Sequence, residues 1–387
     1  MIYFDHNAST PVRPEVAAAM AAATSDLHAN PSSMHREGQR ARAAIEGARV
    51  QVAALVHARA AEIVFTSGGT EGDHAGIIGA AWSLESRGRR IAISALEHHA
   101  VHGAADVLAR CGWEIGHLLA TPSGVVDPAA VVDLEARTTL VSLMLANNET
   151  GAVQPVAAVA ARAHERGILV HCDAVQAAGK IAVDVTSLDV DYLVLSAHKL
   201  GGPKGVGALV VRTGSPYEPL FRGSGHERGR RGGTENLSGI VGFGVAAECA
   251  TRELETERDR LLTLRMQLER GIRAALPDAV FHAAGVPRLP NTVSVSVPGA
   301  RSDHMLMALD ARGIEVSAGA ACASGAVEPS PVLAAMGVPR ELAVCAIRLS
   351  MGRTSTAAEV DQVIAGFVEA ARAARTQNGA AVAGETT

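Results

Sequence analysis

The stretch VDYLVLSAHKLGGPKGVGALVV, Val190 to Val211, decides how this chain is read. Its apolar run Tyr192 to Leu195 predicts a short buried strand. The strand ends in Ser196, Ala197, His198 and Lys199, and the glycines then begin. A solvated surface lysine does not need small, apolar neighbours. A lysine that forms a Schiff base does, because desolvation lowers its pKa and frees the lone pair.

A second strand end stands 26 residues earlier, where Ile168 to Val170 lead into His171-Cys172-Asp173-Ala174-Val175-Gln176. Two strands joined by a crossover of this length run parallel, so their carboxyl ends share one edge. That places Asp173 and Lys199 on the same rim. Pyridoxal 5′-phosphate (PLP) requires such a pair: the lysine holds the cofactor's C4′, and the carboxylate keeps the pyridine nitrogen protonated. Taken alone, the pair reads equally well as a surface salt bridge.

Composition narrows the class. The 387 residues are 48% hydrophobic, enough for a large core divided among domains. Net charge is -5 without a polybasic run, which argues against nucleic acid or a membrane surface as partner. No apolar stretch approaches a membrane span, and MIYFDHNAST shows no signal-peptide pattern, so a soluble, cytoplasmic protein is expected. Five cysteines, at 111, 172, 249, 322 and 345, form no CxxC, which argues against a disulfide framework or a zinc site.

Apolar runs at Glu62–Phe65, Ile91–Ser94, Leu140–Leu145, Ile168–His171 and Leu193–Leu195 alternate with Ala-rich segments such as Pro155–Arg166. This is the pattern of an α/β fold with a mainly parallel sheet. Val245 to Leu276 reads as one long, charged connecting helix. Shorter strands follow, Asn291–Val297 and Ala346–Ser350, mixed with helices at Arg301–Arg312 and Ala357–Arg372. The expected division is a large domain over residues 15–255 and a smaller α+β domain from 1–14 and 256–374. A disordered tail is expected over 375–387.

Other motifs stand at predicted strand ends. Ser67-Gly68-Gly69-Thr70 opens a helix, and its free N–H groups suit phosphate or simply a capped turn. No Gly-Lys-Ser/Thr follows, so it is not a P-loop. His98, in Glu97-His98-His99-Ala100, suits stacking on a pyridine ring. With His102 it also has metal spacing, but no third ligand is in view, and no metal is expected. Asn147-Asn148-Glu149-Thr150-Gly151 reads as a turn or as an amide donor to a cofactor. Cys322 lies in a Gly/Ala/Ser segment suited to a loop, where it is either a reactive thiolate or an inert small residue. The other four cysteines read as structural. Arg348, alternating with apolar residues, reads as a carboxylate fork or a solvated edge residue.

Together these residues resemble a known family. FDHNAST, NPSSMH, TSGGTEGD, EHHAV, NNETGAVQPV, HCDAVQAAGK, SAHKLGGPKGVGAL, HERGRRGGTEN, SAGAACASGAVEPS and IRLSMGR occur in family order from Phe4 to about Gly352. The chain resembles the PLP-dependent cysteine desulfurases of the NifS/IscS type, within the class V aminotransferase group. The resemblance implies an aspartate-aminotransferase-like, fold-type I architecture and a homodimer. Lys199 would be the Schiff-base lysine, with His98 stacked on the ring and Asp173 at its nitrogen. Gln176 would contact the phenolic oxygen, and Gly69, Thr70, Ser196 and His198 would hold the phosphate. Thr234 would reach the partner subunit's phosphate. Asn148 and Arg348 would grip the substrate carboxylate, and Cys322 would accept sulfur.

Ala197, Val175 and Gly72-Asp73-His74 depart from the commonest family residues and bear on fine preference, not on class. The uninterrupted run from Cys322 to Glu328-Pro329 resembles the branch with a longer loop. The implied reaction takes sulfur from L-cysteine onto Cys322 as a persulfide, releases L-alanine, and passes the sulfur to a protein acceptor. Rival readings are selenocysteine lyase, another PLP C–S lyase or transaminase, and a catalytically silent sulfur relay. Iron–sulfur, tRNA, cofactor and DNA sulfur pathways all stay open.

Overall fold

The computed structural model describes residues 1–318 and 328–384. Strand β1 (Ile2–Tyr3) and helices α1 (Pro14–Asp26) and α2 (Arg36–Leu55) precede the central sheet. That sheet contains β2 (Ile63–Thr66), β3 (Arg90–Ser94), β4 (Glu114–Leu118), β5 (Thr138–Ser142), β6 (Leu169–Asp173), β7 (Tyr192–Ser196) and β8 (Gly207–Val211). Its spatial order is β2-β8-β7-β6-β5-β3-β4. From β7 to β4 every neighbouring pair is parallel. The sheet is buried on both faces, so β2, β5, β7 and β8 bury every residue and read as continuous apolar runs.

The sequence reading did not resolve β8. It pairs antiparallel with both β7 and β2. The ten residues between β7 and β8 are too few for a parallel crossover, so the chain returns on itself. Close packing enforces the turn: a Cβ on Gly207 would lie 2.7 Å from the backbone carbon of Gly68.

Helices α3 (Gly69–Ser83), α4 (His99–Arg110), α5 (Val156–Glu165) and α6 (Val185–Leu188) cover the sheet. Gly72 lets α3 press onto β7, since a Cβ there would meet Val194 Cγ1 at 2.6 Å.

Helix α7 (Leu237–Ala275) is 39 residues long and begins eight residues before the expected start, where Asn236 Oδ1 accepts from Gly239 N–H at 3.2 Å. Its first half packs Ile240, Phe243 and Ala247 into the core of the central sheet. Its second half places Leu264, Leu268 and Ile272 in a separate core with Phe4, Val293 and Phe367. That second core lies against a four-stranded sheet of order β12-β13-β10-β9. Its strands are β9 (Val280–Phe281), β10 (Thr292–Ser296), β12 (Ser317–Ala318) and β13 (Ala346–Ser350), while β11 (Ile314–Glu315) pairs with β1. Helices α8 (Ser302–Asp310), α9 (Pro331–Ala335), α10 (Arg340–Ala343) and α11 (Ala357–Gly384) complete the chain.

The expected disordered tail is corrected in part: α11 continues to Gly384. Alanine and glutamine are good helix formers, and Arg375 anchors the turn by donating to Pro298 O at 2.9 Å and by pairing with Asp278.

A buried ion pair ties the segment before α7 to the sheet. Arg49 donates to Glu227 Oε2 at 2.6 Å and Oε1 at 2.8 Å, and Glu227 also accepts from Phe65 N–H at 2.8 Å. Glu227 and Arg228 adopt left-handed φ values of 48° and 57°, a conformation non-glycine residues resist. The buried pair holds them there. Glu227→Ala leaves Arg49 buried without its partner and should destabilise the fold by roughly 3–5 kcal/mol in urea unfolding. A loss below about 1 kcal/mol would show the pair to be incidental.

Candidate active site

Asp173 closes β6, and the 3₁₀ turn Ala197–Lys199 follows β7, its parallel neighbour. Both residues line one cavity of about 420 Å³. Gly69, Thr70, His98, Asn148, Gln176, Ser196, His198 and Arg348 line it too. Residues spread over 280 positions therefore meet at the carboxyl edge of the parallel strands, where such sheets place their sites.

Lys199 Nζ donates to the carbonyls of Asn7 at 2.5 Å and Ala8 at 2.8 Å. Burial lowers its pKa to about 8, helped by Arg348 and opposed by Asp173 and Asp5. Burial pushes the Asp173 carboxyl up, while the Val175 N–H on Oδ1 at 2.8 Å and the charge of Lys199 pull it down. Asp73 and Glu97, both buried, are raised by burial and by the charge of Asp173. His171, fully buried, is held to about 3 by burial and gives Asp73 no charged partner.

The Gly-rich turn forms an anion cup. Gly68 has φ 155° and ψ −173°, a conformation reserved for glycine, and α3 begins without a side-chain cap. A neighbouring space of about 340 Å³ is lined by Ser67, Gly69, Thr70, Ser196, His198 and Lys204. Sequence reading missed Lys204, five residues beyond Lys199 in the glycine run. Its signal was a lone cation among small residues. Gly69 keeps the cup open, since a Cβ there would stand 3.0 Å from Val175 Cγ2.

His98 is the N-cap of α4, and its Nδ1 accepts from Ala100 N–H at 3.2 Å. That bond leaves the ring proton on Nε2. Burial, then the charge of Lys199, lowers its pKa to about 4, so the ring is neutral. Among the described residues no three His, Cys, Asp or Glu side chains gather into a metal-like cluster.

Asn147 shapes the turn: its Oδ1 accepts from Glu149 N–H and Thr150 N–H, each at 2.9 Å. Asn148 reaches the cavity, and its carbonyl accepts from Arg348 Nη1 at 3.1 Å. Arg348 Nη2 donates to Asp5 Oδ1 at 2.6 Å, whereas its buried Nε has no partner among the described residues. Glu149 also lines the cavity, bonds Ser330 Oγ, and is pushed up to about 7 by burial.

Asn7, whose carbonyl holds Lys199, was not picked out as a site residue because a backbone acceptor has no side-chain signature. Thr234 is not brought to the cavity. It lines a separate cleft with Ser67, Arg231 and Glu235. Cys322 lies outside the described residues. On its N-terminal side Ser317 and Ala318 line the cavity, and on its C-terminal side Ser330 is bonded to Glu149, a cavity-lining residue. Burial raises the thiols of Cys172 and Cys345, and Cys249 is buried, while Cys111 is exposed at the end of α4.

This donor set fits PLP. It offers a softened amine, a buried acid whose ionised form a ring N–H⁺ would restore, a neutral imidazole and an uncapped helix start with hydroxyls. The unpaired Arg348 Nε fits a substrate carboxylate.

The aminotransferase class-V family model matches residues 2–363. A cysteine desulfurase of Cereibacter sphaeroides is 46% identical over 366 residues, covering 94% of this chain and 94% of the relative. The cysteine desulfurase IscS of Dictyoglomus turgidum is 41% identical over 364 residues, covering 94% and 92%. A solved NifS-like protein superposes with a TM-score of 0.89 at 37% identity, covering 95% of this chain and 98% of its own.

Only the neutral amine attacks an aldehyde, so apo-protein should take up PLP faster as pH rises through about 8, with a plateau above. Stopped-flow absorbance follows the visible band. A rate flat from pH 6 to 9, or a band unchanged in Lys199→Ala, would remove Lys199 from this role.

Proposed function

We infer that this chain, which belongs to the aminotransferase class-V family, is a PLP-dependent cysteine desulfurase. The carrying observation is the meeting of a softened lysine and a buried acid at the ends of adjacent parallel strands. When bound, PLP supplies an electron sink for the charge left on the substrate's Cα.

The chain's own residues do the rest. Lys199 Nζ removes the Cα proton and holds it, and the Asn7 and Ala8 carbonyls steady the resulting ammonium. Asp173 keeps a proton on the ring nitrogen. Neutral His98 would stack on the ring, with its Nε2–H free to donate. Thr70, Ser196, His198 and the first amides of α3 take the phosphate. Arg348 and Asn148 orient the substrate carboxylate, which fixes the Cα–H bond toward Lys199.

Cys322 attacks the substrate sulfur as a thiolate. A sulfur–sulfur bond forms, the carbon–sulfur bond breaks with its electron pair on the substrate's Cβ, and a proton added there, followed by return of the Cα proton from Lys199, gives alanine. Cys322 is left as a persulfide. Three residues separate it from Ala318 at the cavity wall, a reach of at most about 14 Å. The protein works as a cytoplasmic homodimer in which Thr234 serves the partner's phosphate site. The persulfide passes to a protein acceptor, with iron–sulfur cluster assembly or a thiolation pathway as its destination.

Cys322→Ser should keep the visible cofactor band yet lose alanine formation from L-cysteine by at least two orders of magnitude. Alanine release measured against persulfide checks this, and full turnover by the variant would refute the nucleophile assignment. Equal turnover of L-selenocysteine in that variant would leave the lyase chemistry intact and assign Cys322 to sulfur alone.

A further inference from the structure

Lys180 is a buried lysine that the reaction above does not use. Among the described residues no carboxylate pairs with it. Its Nζ donates to two acceptors on one residue, Gln176 Oε1 at 2.8 Å and Gln176 O at 3.1 Å. The groups that act on it electrostatically, Lys199, Arg348, His6 and His198, are all bases, and Glu257, which lines the same small cleft, is paired with Arg260. Burial first, then the charges of Lys199 and Arg348, holds its pKa well below the ordinary lysine range. An amine kept in such surroundings must do something that a methionine of equal length would not.

Its geometry indicates the task. A glutamine amide has a donor end and an acceptor end, and nothing in its own shape selects between them. With Lys180 donating to Oε1, the NH₂ group must face the other way. It does: Gln176 Nε2 donates to Asn7 O at 2.9 Å, the carbonyl that also accepts Lys199 Nζ. Gln176 lines the 420 Å³ cavity, and so does Asn7, the residue whose carbonyl takes its donor end.

We propose that Lys180 is a positioning residue that locks the Gln176 amide with its N–H groups toward the cofactor's phenolic oxygen, so that this oxygen always meets a donor. The proposal rests on the PLP reading and on the role of Gln176 within it. A fixed donor stabilises the phenolate and lowers the pH at which the lysine-bound chromophore loses its proton. A freely rotating amide would do so only part of the time.

The test is a pH titration of the visible band of the holoenzyme in wild type, Lys180→Met, Gln176→Met and the double variant. Lys180→Met should raise the chromophore's apparent pKa by about half a unit or more. Gln176→Met, with Lys180 intact, should raise it at least as far. The double variant should match Gln176→Met, because Lys180 then has no amide to orient. Additive shifts would overturn the proposal and assign Lys180 a direct charge effect. If Lys180→Met fails to load, an unmoved titration in Gln176→Met still overturns it. A wild-type chain that forms no visible band with PLP would instead sink the cofactor reading beneath it.

Discussion

Desolvation of charge at the carboxyl edge of β6 and β7 is the constraint on which the rest depends. Asp173 and Lys199 stand where two parallel strands end, in a buried wall that they share with Arg348 and with Asp73 and Glu149, whose carboxyls burial pushes up. Water would screen both groups and leave them as an ordinary acid and base. Withdrawn from it, the lysine drops to about 8, where its lone pair becomes available, and the acid rises until a cationic partner restores its ionised form. The buried faces of the sheet produce this desolvation, so core packing and reactivity have one origin.

Two layers of polar support hold that edge. The inner layer is the N-terminal loop, whose Asn7 binds in several directions at once. Its carbonyl accepts from Lys199 and Gln176, and its amide reaches Asn148 O at 3.1 Å and Thr292 Oγ1 at 2.9 Å. Asn7 thereby links the lysine to β10, a strand of the second sheet. The outer layer is Arg348 on β13, joined to Asp5 and to the carbonyl of Asn148. Both layers depend on residues from the start of the chain that cross to the second core, where Phe4 is buried. The site lies between two cores, and α7 contributes to each.

Much of this was legible from residue order. Four of the five parallel strands, the long helix and the common rim of Asp173 and Lys199 follow from apolar runs punctuated by small and polar residues, whereas the edge strand β4, with exposed Glu114 and His117 breaking its apolar run, was not read. Ten site residues converge on one cavity. Less legible were β8, whose direction depends on a short return, and the helical continuation of α11, whose polar Gly/Ala composition looks irregular. Lys180 and Glu149 carried no local signature, since a charged residue near a strand end has the same appearance whether solvated or enclosed.

By itself, the sequence determined the candidates and their spacing: a lysine after an apolar strand, an acid after its neighbour, and a cysteine in a small-sided stretch that reads as reactive or as inert. It did so because strand periodicity and residue chemistry are local properties. Tertiary structure alone decided which groups lose water and which backbone carbonyls meet them. Those properties arise from elements hundreds of residues apart, as when the carbonyl of Asn7 closes on Lys199, and desolvation belongs to an enclosure and not to any one segment.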